Sequence, residues 1–212
     1  MKREVPMARR FPAAALHAVL LCGIASVWWT SAAAGAHDPA LLMLLSQLHR
    51  DPSPEELRHF GPGVEDALRA IVGDAMVPRL ARVRAVSVLG YFDSEGAFET
   101  VRRAAFDPAL PLRVRSAAVW TLGHRFEGRS GRLEALQEVL RLPQPLLRET
   151  AVRSLAVLPD PKARALLARH RQVERHRAVL RTLRAVLRAE LQRPLPPEGV
   201  QRRPAPTEEP AR

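Results

Sequence analysis

One stretch of the chain decides the fold, and it reads Val114-Arg115-Ser116-Ala117-Ala118-Val119-Trp120-Thr121-Leu122-Gly123. Its residue types recur at a spacing of 33 residues in five columns. The columns are Arg82, Arg115 and Arg148; Ala85, Ala118 and Ala151; Val86, Val119 and Val152; Leu89, Leu122 and Leu155; and Gly90, Gly123 and Ala156. A fixed period of this length indicates a repeat protein in which successive copies stack on each other.

The columns within one copy have the spacing of an α-helix. Counted from the arginine at position zero, the alanine, valine and leucine stand at positions three, four and seven, which lie on one helix face. Pro78, Pro111 and Pro145 stand three or four residues before the arginine column and are predicted to lie in the first turn of the helix, where a missing amide hydrogen costs little. We expect the glycine at position eight to end the helix in the left-handed conformation.

Further helices are predicted from apolar spacing and start signals. The second helix of each copy is expected over 94–106, 130–142 and 161–173. Its inward residues are Phe98, Val101 and Ala105 in the first copy and Leu133, Leu136 and Leu140 in the second. Other helices are expected over 41–48, after the capping box Ser53-Pro54-Glu55-Glu56, over 64–72 and over 175–191. Short loops make neighbours antiparallel, so the sequence predicts an all-α fold.

The repeated helix resembles that of a known family. Val83-Arg84-Ala85-Val86-Ser87-Val88-Leu89-Gly90 and the stretch 114–123 are similar to the V-R-x-x-A-x-x-A-L-G helix of HEAT repeats, especially the short HEAT-like repeats of phycobilisome lyases and many bacterial proteins. The resemblance covers residues 64–191. It implies a right-handed α-solenoid of antiparallel helix pairs with a curved binding surface and no shared catalytic residues. Ala156 in the glycine column and an irregular fourth copy depart from the pattern, and the latter fits a capping unit.

The first 36 residues have the composition of a bacterial export signal. Lys2, Arg3, Arg9 and Arg10 precede an uncharged, mostly apolar stretch over 13–29, and Ala34-Gly35-Ala36 is a small-x-small cleavage site. Cleavage there makes the protein periplasmic or secreted. The alternative is an uncleaved segment that anchors it to the inner membrane, since this stretch is at the short limit for a ~30 Å hydrocarbon core.

Three segments therefore organise the chain. A signal peptide is predicted over 1–36, a HEAT-like repeat domain over 37–193, and a disordered tail over 194–212, where six of 19 residues are proline.

Enzyme chemistry and cofactors are not expected. Cys22 leaves with the signal, so the mature chain has no thiol nucleophile or zinc thiolate. The sequence has no phosphate-binding glycine loop, nucleophile elbow or His-Glu-x-x-His pair, and no two histidines of the mature chain have metal-binding helical spacing. One alternative for a metal stays open at His37. Its free amine and imidazole would bind copper together if a second imidazole completed the site.

Charge distribution is the strongest signal that does not concern the fold. The chain carries a net charge of +11. Residues 162–193 hold a balance of +8, which equals the charge of the whole mature chain. Within them Arg177, Arg181, Arg184 and Arg188 recur at helical spacing and form one stripe. Either an anionic partner binds this arginine stripe, or the stripe is a polar cap that keeps the end of the stack soluble.

Four functions follow from these observations. The first is an exported scaffold that binds another protein of the bacterial envelope. The second is a module that binds an anionic membrane surface or acidic polymer through the arginine stripe. A nucleic-acid-binding HEAT-like protein would have to be cytosolic, so the export signal counts against it. A lyase would need chromophore-handling residues, and none can be transferred from the resemblance. We therefore expect no nucleic acid and no small-molecule substrate.

Overall fold

The computed structural model describes residues 37–47 and 50–191, with side chains as far as residue 189. The regular structure of this part is entirely helical, which confirms the all-α prediction there. The helices are α1 Pro39–Leu45, α2 Pro54–Arg58, α3 Val64–Gly73, α4 Arg79–Leu89, α5 Glu95–Phe106, α6 Leu112–His124, α7 Arg132–Val139, α8 Pro145–Ala156, α9 Pro161–Val173 and α10 Arg177–Leu191. None of these helices is long and apolar enough to span a membrane.

Local sequence signals set several helix starts. In the capping box before α2, the amide of Glu56 donates to Ser53 Oγ at 3.2 Å, and the amide of Ser53 donates to Glu56 Oε2 at 2.8 Å. Ser94 and Asp160 cap α5 and α9 through their side-chain oxygens. Pro145 is the first residue of α8. Helix α9 begins and ends at the predicted residues, whereas α7 is shorter than predicted at both ends.

Alternate helices pack side by side in chain order. Helix α4 packs on α6, α6 on α8 and α8 on α10, and we call these four helices the even row. Helix α3 covers α4, and α5 covers both α4 and α6. Helix α7 lies against α6 and α8, and α9 against α8 and α10. Each buried face predicted from the repeat is therefore covered by a second helix.

The apolar columns form the centre of the core. Positions three, four and seven are buried in each of α4, α6 and α8, with at most 1% exposure. They are occupied by Ala85, Val86, Leu89, Ala118, Val119, Leu122, Ala151, Val152 and Leu155. Phe98, Val101, Ala105, Leu136 and Leu140 are buried as predicted. Leu133 is only partly buried, because α7 begins at Arg132 and this side chain lies in its first turn.

The glycine column has a different role from the one predicted. Gly90 has right-handed backbone angles, and Gly123 lies inside α6, so neither ends its helix in the left-handed conformation. Both are instead points of close helix contact. A Cβ on Gly90 would lie 2.8 Å from Thr121 Cγ2 and 2.7 Å from Arg125 Cβ. A Cβ on Gly123 would overlap the side chain of Ser154. Small residues at position eight therefore let the next helix of the even row approach.

The arginine column caps the ends of neighbouring helices. Arg82 Nε donates to Val72 O in the last turn of α3 at 3.1 Å, and Arg115 Nε donates to Ala105 O in the last turn of α5 at 3.2 Å. The last carbonyls of a helix have no donor within the helix, so each arginine satisfies a group that would otherwise be buried unpaired. Arg82 and Arg115 are each only 5% exposed. This column is therefore part of the packing.

Candidate binding surface

The arginine stripe lies on the exposed side of α10. Arg177, Arg181, Arg184 and Arg188 are all exposed, whereas Val179 and Leu183 on the same helix are fully buried. None of the four guanidinium groups makes a hydrogen bond or ion pair with another described residue. The structure therefore leaves four positive charges of one helix without partners in the described part of the chain.

Helix α10 packs on α8 as the next member of the even row. Thr182 Oγ1 at position six donates to Glu149 Oε1 on α8 at 3.0 Å. In the preceding pair, Ser154 Oγ at position six donates to Val119 O on α6 at 3.3 Å. With His176 as position zero, Val179 and Leu183 stand at positions three and seven and are fully buried like the apolar columns, so the same numbering applies to α10.

By this numbering, two arginines of the stripe occupy positions that contact the next helix in the earlier copies, and Arg181 occupies a position that does not. Position eight receives the next helix at Gly90 and Gly123, and Arg184 occupies that position in α10. Position one contacts the next helix through Ser116 and Glu149, and in α10 it is Arg177. A long charged side chain at both positions leaves no place for a further helix. Arg177 and Arg184 thus stand where a cap is needed, whereas Arg181 stands at position five, which no neighbouring helix of the row covers.

A cluster of aromatic rings occupies the same exposed position on α6. Trp120 stands at position five and is 40% exposed. Its ring stacks on His124 with centroids 4.3 Å apart and planes 9° apart. The guanidinium carbon of Arg125 lies 4.8 Å from the centre of the Tyr91 ring and 5.8 Å from that of Trp120. We call Tyr91, Trp120, His124 and Arg125 the aromatic cluster.

The aromatic cluster was not predicted from the sequence. One signal was present, since position five is Ser87 in the first copy and Arg153 in the third, and both are polar. A tryptophan at a polar position of a repeat indicates an exposed ring. The contact between Tyr91 and Arg125 could not be predicted in this way, because it joins the residues that follow α4 and α6.

An apolar groove adjoins the aromatic cluster. Its volume is about 480 Å³, and Tyr91 belongs to both the groove and the cluster. The other lining residues are Pro54, Leu57, Arg58, Gly61, Pro62, Val64 and Phe92. Tyr91 therefore links this apolar surface to the guanidinium group of Arg125.

Glu174 is the acidic group that holds α10 in place. Its carboxylate accepts from Arg148 Nε at 2.7 Å and Nη2 at 2.9 Å, and from the backbone amides of Arg175 at 2.9 Å and His176 at 2.7 Å. His170 Nε2 lies 3.0 Å from it. The Arg148 hydrogen bonds, more than the two amides, lower the pKa of Glu174 to about 2 although burial opposes the shift. This carboxylate is therefore occupied within the fold and does not neutralise the arginine stripe.

No metal centre is formed by the described residues. Among them, no three side chains of histidine, cysteine, aspartate or glutamate come together as ligands for a metal ion. The copper chelate considered at His37 stays a prediction.

Comparisons with known proteins give no further guide to this surface. No protein family model matches the chain, and no curated protein is significantly similar to it.

Proposed function

We propose that this protein is an exported scaffold of HEAT-like repeats, arranged as a right-handed α-solenoid, that binds another protein in the bacterial envelope. Two features support the solenoid. The contacts of Gly90 with Thr121 and of Gly123 with Ser154 repeat one packing rule, and α10 packs on α8 as the next helix of the even row. Export is supported by the composition of residues 1–36, which lie outside the described part of the chain.

The observation that carries the binding proposal is the exposed aromatic cluster. Tryptophan, tyrosine and arginine are the residues that most often dominate the binding energy of protein interfaces. The packing of the repeats accounts for the arginine column and the glycine column, but it requires no tryptophan ring on the outside of α6. A partner protein that covers the exposed part of the Trp120 ring would account for a tryptophan at this position.

A site-specific cross-linking experiment tests this proposal. The photoreactive residue p-benzoylphenylalanine replaces Trp120 in the full chain, which is expressed in its native bacterium. We expect irradiation to give one discrete adduct with an envelope protein. The same residue at Met76, which is 90% exposed on the loop before α4, is the matched control and should give none. A cross-link pattern that is the same from both positions would refute a binding surface at Trp120.

The export part of the proposal has its own test. N-terminal sequencing of the protein from the envelope fraction should begin at His37, after Ala34-Gly35-Ala36. A cytosolic form that begins at Met1 would overturn the export proposal and make nucleic acid a candidate partner again.

Anion binding through α10 is the second candidate function, and a separate observation favours it. The four arginines of the stripe have no partners among the described residues. A second apolar groove of about 470 Å³ is lined by residues of α8, α9 and α10, which include Ala156, Leu167 and Leu187 together with Arg164 and Arg171 of α9. Cations next to an apolar groove suit the phosphate and acyl chains of an anionic lipid.

A further inference from the structure

We infer that the aromatic cluster and its groove bind an acidic peptide segment of the partner protein, with one carboxylate on Arg125 and an apolar side chain in the groove beside Tyr91. This inference rests on the proposed scaffold function and specifies the chemistry of its partner.

The guanidinium group of Arg125 is held in an orientation that suits binding of a planar anion. Its carbon lies within 6 Å of the centres of two aromatic rings, those of Tyr91 and Trp120. The aliphatic stem of Arg125 packs on Gly90, which fixes its direction. The guanidinium group makes no hydrogen bond or ion pair with the rest of the described chain. Because the guanidinium group of Arg125 has a fixed position and its N–H donors are not used within the described chain, it can bind a carboxylate through two parallel hydrogen bonds.

The charges around the cluster favour a single carboxylate over a polyanion. Arg129, the next arginine along the chain, is already paired with Asp93 at 3.1 Å and with Glu95 at 2.9 Å. Glu127 is exposed two residues after Arg125. A phosphate-rich bilayer or an acidic polymer would meet these carboxylates as well as Arg125. One aspartate or glutamate side chain of a peptide needs only the guanidinium group of Arg125 as its partner.

The groove supplies the second anchor. Its volume of about 480 Å³ falls within the roughly 300–1,000 Å³ typical of ligand pockets, and prolines and aromatic rings form much of its wall. Since Tyr91 contacts Arg125 and also lines the groove, the two anchor points lie about one side chain apart. In an extended peptide, residues i and i+2 lie on the same face about 7 Å apart. The fitting segment is therefore an apolar residue followed or preceded at the second position by aspartate or glutamate.

The test is a peptide selection followed by a double-mutant cycle. A phage library of random dodecapeptides is panned on the immobilised full chain, and the enriched sequences are synthesised with their acidic residue and with its amide counterpart. We expect enrichment of an apolar residue two positions from an acidic one. The amide peptide should bind the unmodified protein about ten- to hundred-fold more weakly than the acidic peptide, the loss typical of a charge-assisted hydrogen-bonded pair.

Arg125→Gln should remove this difference, so that both peptides bind within about two-fold of each other. The glutamine keeps the Cβ and Cγ atoms that pack on Gly90. Arg113→Gln, at another exposed arginine of α6 that lies outside the arginine stripe, is the matched control and should keep the full difference. Arg125→Lys retains the charge but loses the planar fork, so an intermediate difference is expected. Circular dichroism of each variant verifies that it is folded.

Several results would overturn the inference. They are the absence of any enriched sequence, enrichment without an acidic residue, and an acid preference that survives Arg125→Gln or disappears in Arg113→Gln. The proposed function fails by a different measurement, namely the absence of a specific cross-link from position 120. A specific cross-link together with an absent acid preference would refute the peptide chemistry and leave the scaffold function standing.

Discussion

Gly123 and Ser154 lie at a contact where the even row has no space for one more carbon atom. A Cβ on Gly123 would overlap the Ser154 side chain and lie 2.9 Å from its Cα. Interior packing is dense, so an atom added at such a contact forces a shift of the neighbouring helix. The glycine in the second copy is therefore required by α8, the helix that packs against it.

Gly123→Ala should lower the free energy of unfolding by about 1–3 kcal/mol, because overpacking outweighs the better helix propensity of alanine. The control is Gly73→Ala in the last turn of α3, where an added Cβ meets nothing within 4 Å. That variant should be neutral or more stable by up to about 1 kcal/mol. Urea denaturation of both variants measures the difference. Equal midpoints would mean that the two helices are not in close contact.

At the level of helices, the attachment of α10 depends on a carboxylate in the loop before it. Glu174 joins α8 through Arg148, α9 through His170 and the start of α10 through two backbone amides. The carboxylate is 2% exposed and the Arg148 side chain 15%. A buried ion pair with this many hydrogen bonds is costly to break on one side, because the remaining charge stays buried without its partner.

Glu174→Gln should reduce stability at pH 7 by about 3 kcal/mol, the loss typical of a buried pair deprived of one partner. The pKa of Glu174 in the folded chain is about 2, below the value of about 4.3 for an unfolded glutamate. Its stabilising contribution is therefore present above pH ~4.3 and is lost as the pH falls towards 2. The unmodified protein should lose stability in this interval more steeply than the variant does.

The control for this experiment is Glu138→Gln, at an exposed carboxylate near the end of α7. It should keep the stability and the acid dependence of the unmodified chain. Urea denaturation at pH 7, 4.5 and 2.5 gives the required curves. Parallel curves for Glu174→Gln and the unmodified protein would show that this ion pair does not contribute to the acid dependence.

On the scale of the whole molecule, the positive charge is concentrated at one end of the even row. Residues 162–193 carry a balance of +8, and the fold exposes the four arginines of the stripe together on α10. Two of them, Arg177 and Arg184, occupy positions where a further helix would pack. The stripe therefore combines charges that suit an anion with side chains that stand where a further helix of the row would pack, and a binding measurement distinguishes the two roles.

If the stripe binds anions, the full chain should bind anionic phosphatidylglycerol vesicles, with an affinity that falls steeply between low and physiological salt. Exposed charges are screened over about 8 Å at physiological ionic strength. Changing Arg177, Arg181, Arg184 and Arg188 to Gln should abolish binding and leave helicity nearly unchanged, since both residues favour helices similarly. Vesicle co-sedimentation measures the binding.

The matched control removes the same number of charges elsewhere. It changes four exposed arginines on α4, α5, α6 and the loop after α7 to Gln, namely Arg79, Arg103, Arg113 and Arg141. This variant should retain most of the binding. An equal loss in the two variants would mean that net charge, and not the stripe, attracts the vesicles.

The sequence by itself determined which residues are buried and where most helices begin and end. The apolar columns, the capping box before α2 and the bounds of α9 all depend on contacts within about four residues, and such contacts are visible in the spacing of residues along the chain. The exposed stripe on α10 follows from the same local periodicity.

Only the tertiary structure decided what each face of a helix contacts. The glycine column was predicted to end helices, but its contacts with Thr121 and Ser154 on the next helices give it a packing role. The aromatic cluster joins residues about 30 positions apart, and Glu174 joins three helices. The periodicity of apolar residues predicts whether a side chain points inward or outward. It does not predict which residue of another helix the side chain contacts, because that depends on how the helices pack together.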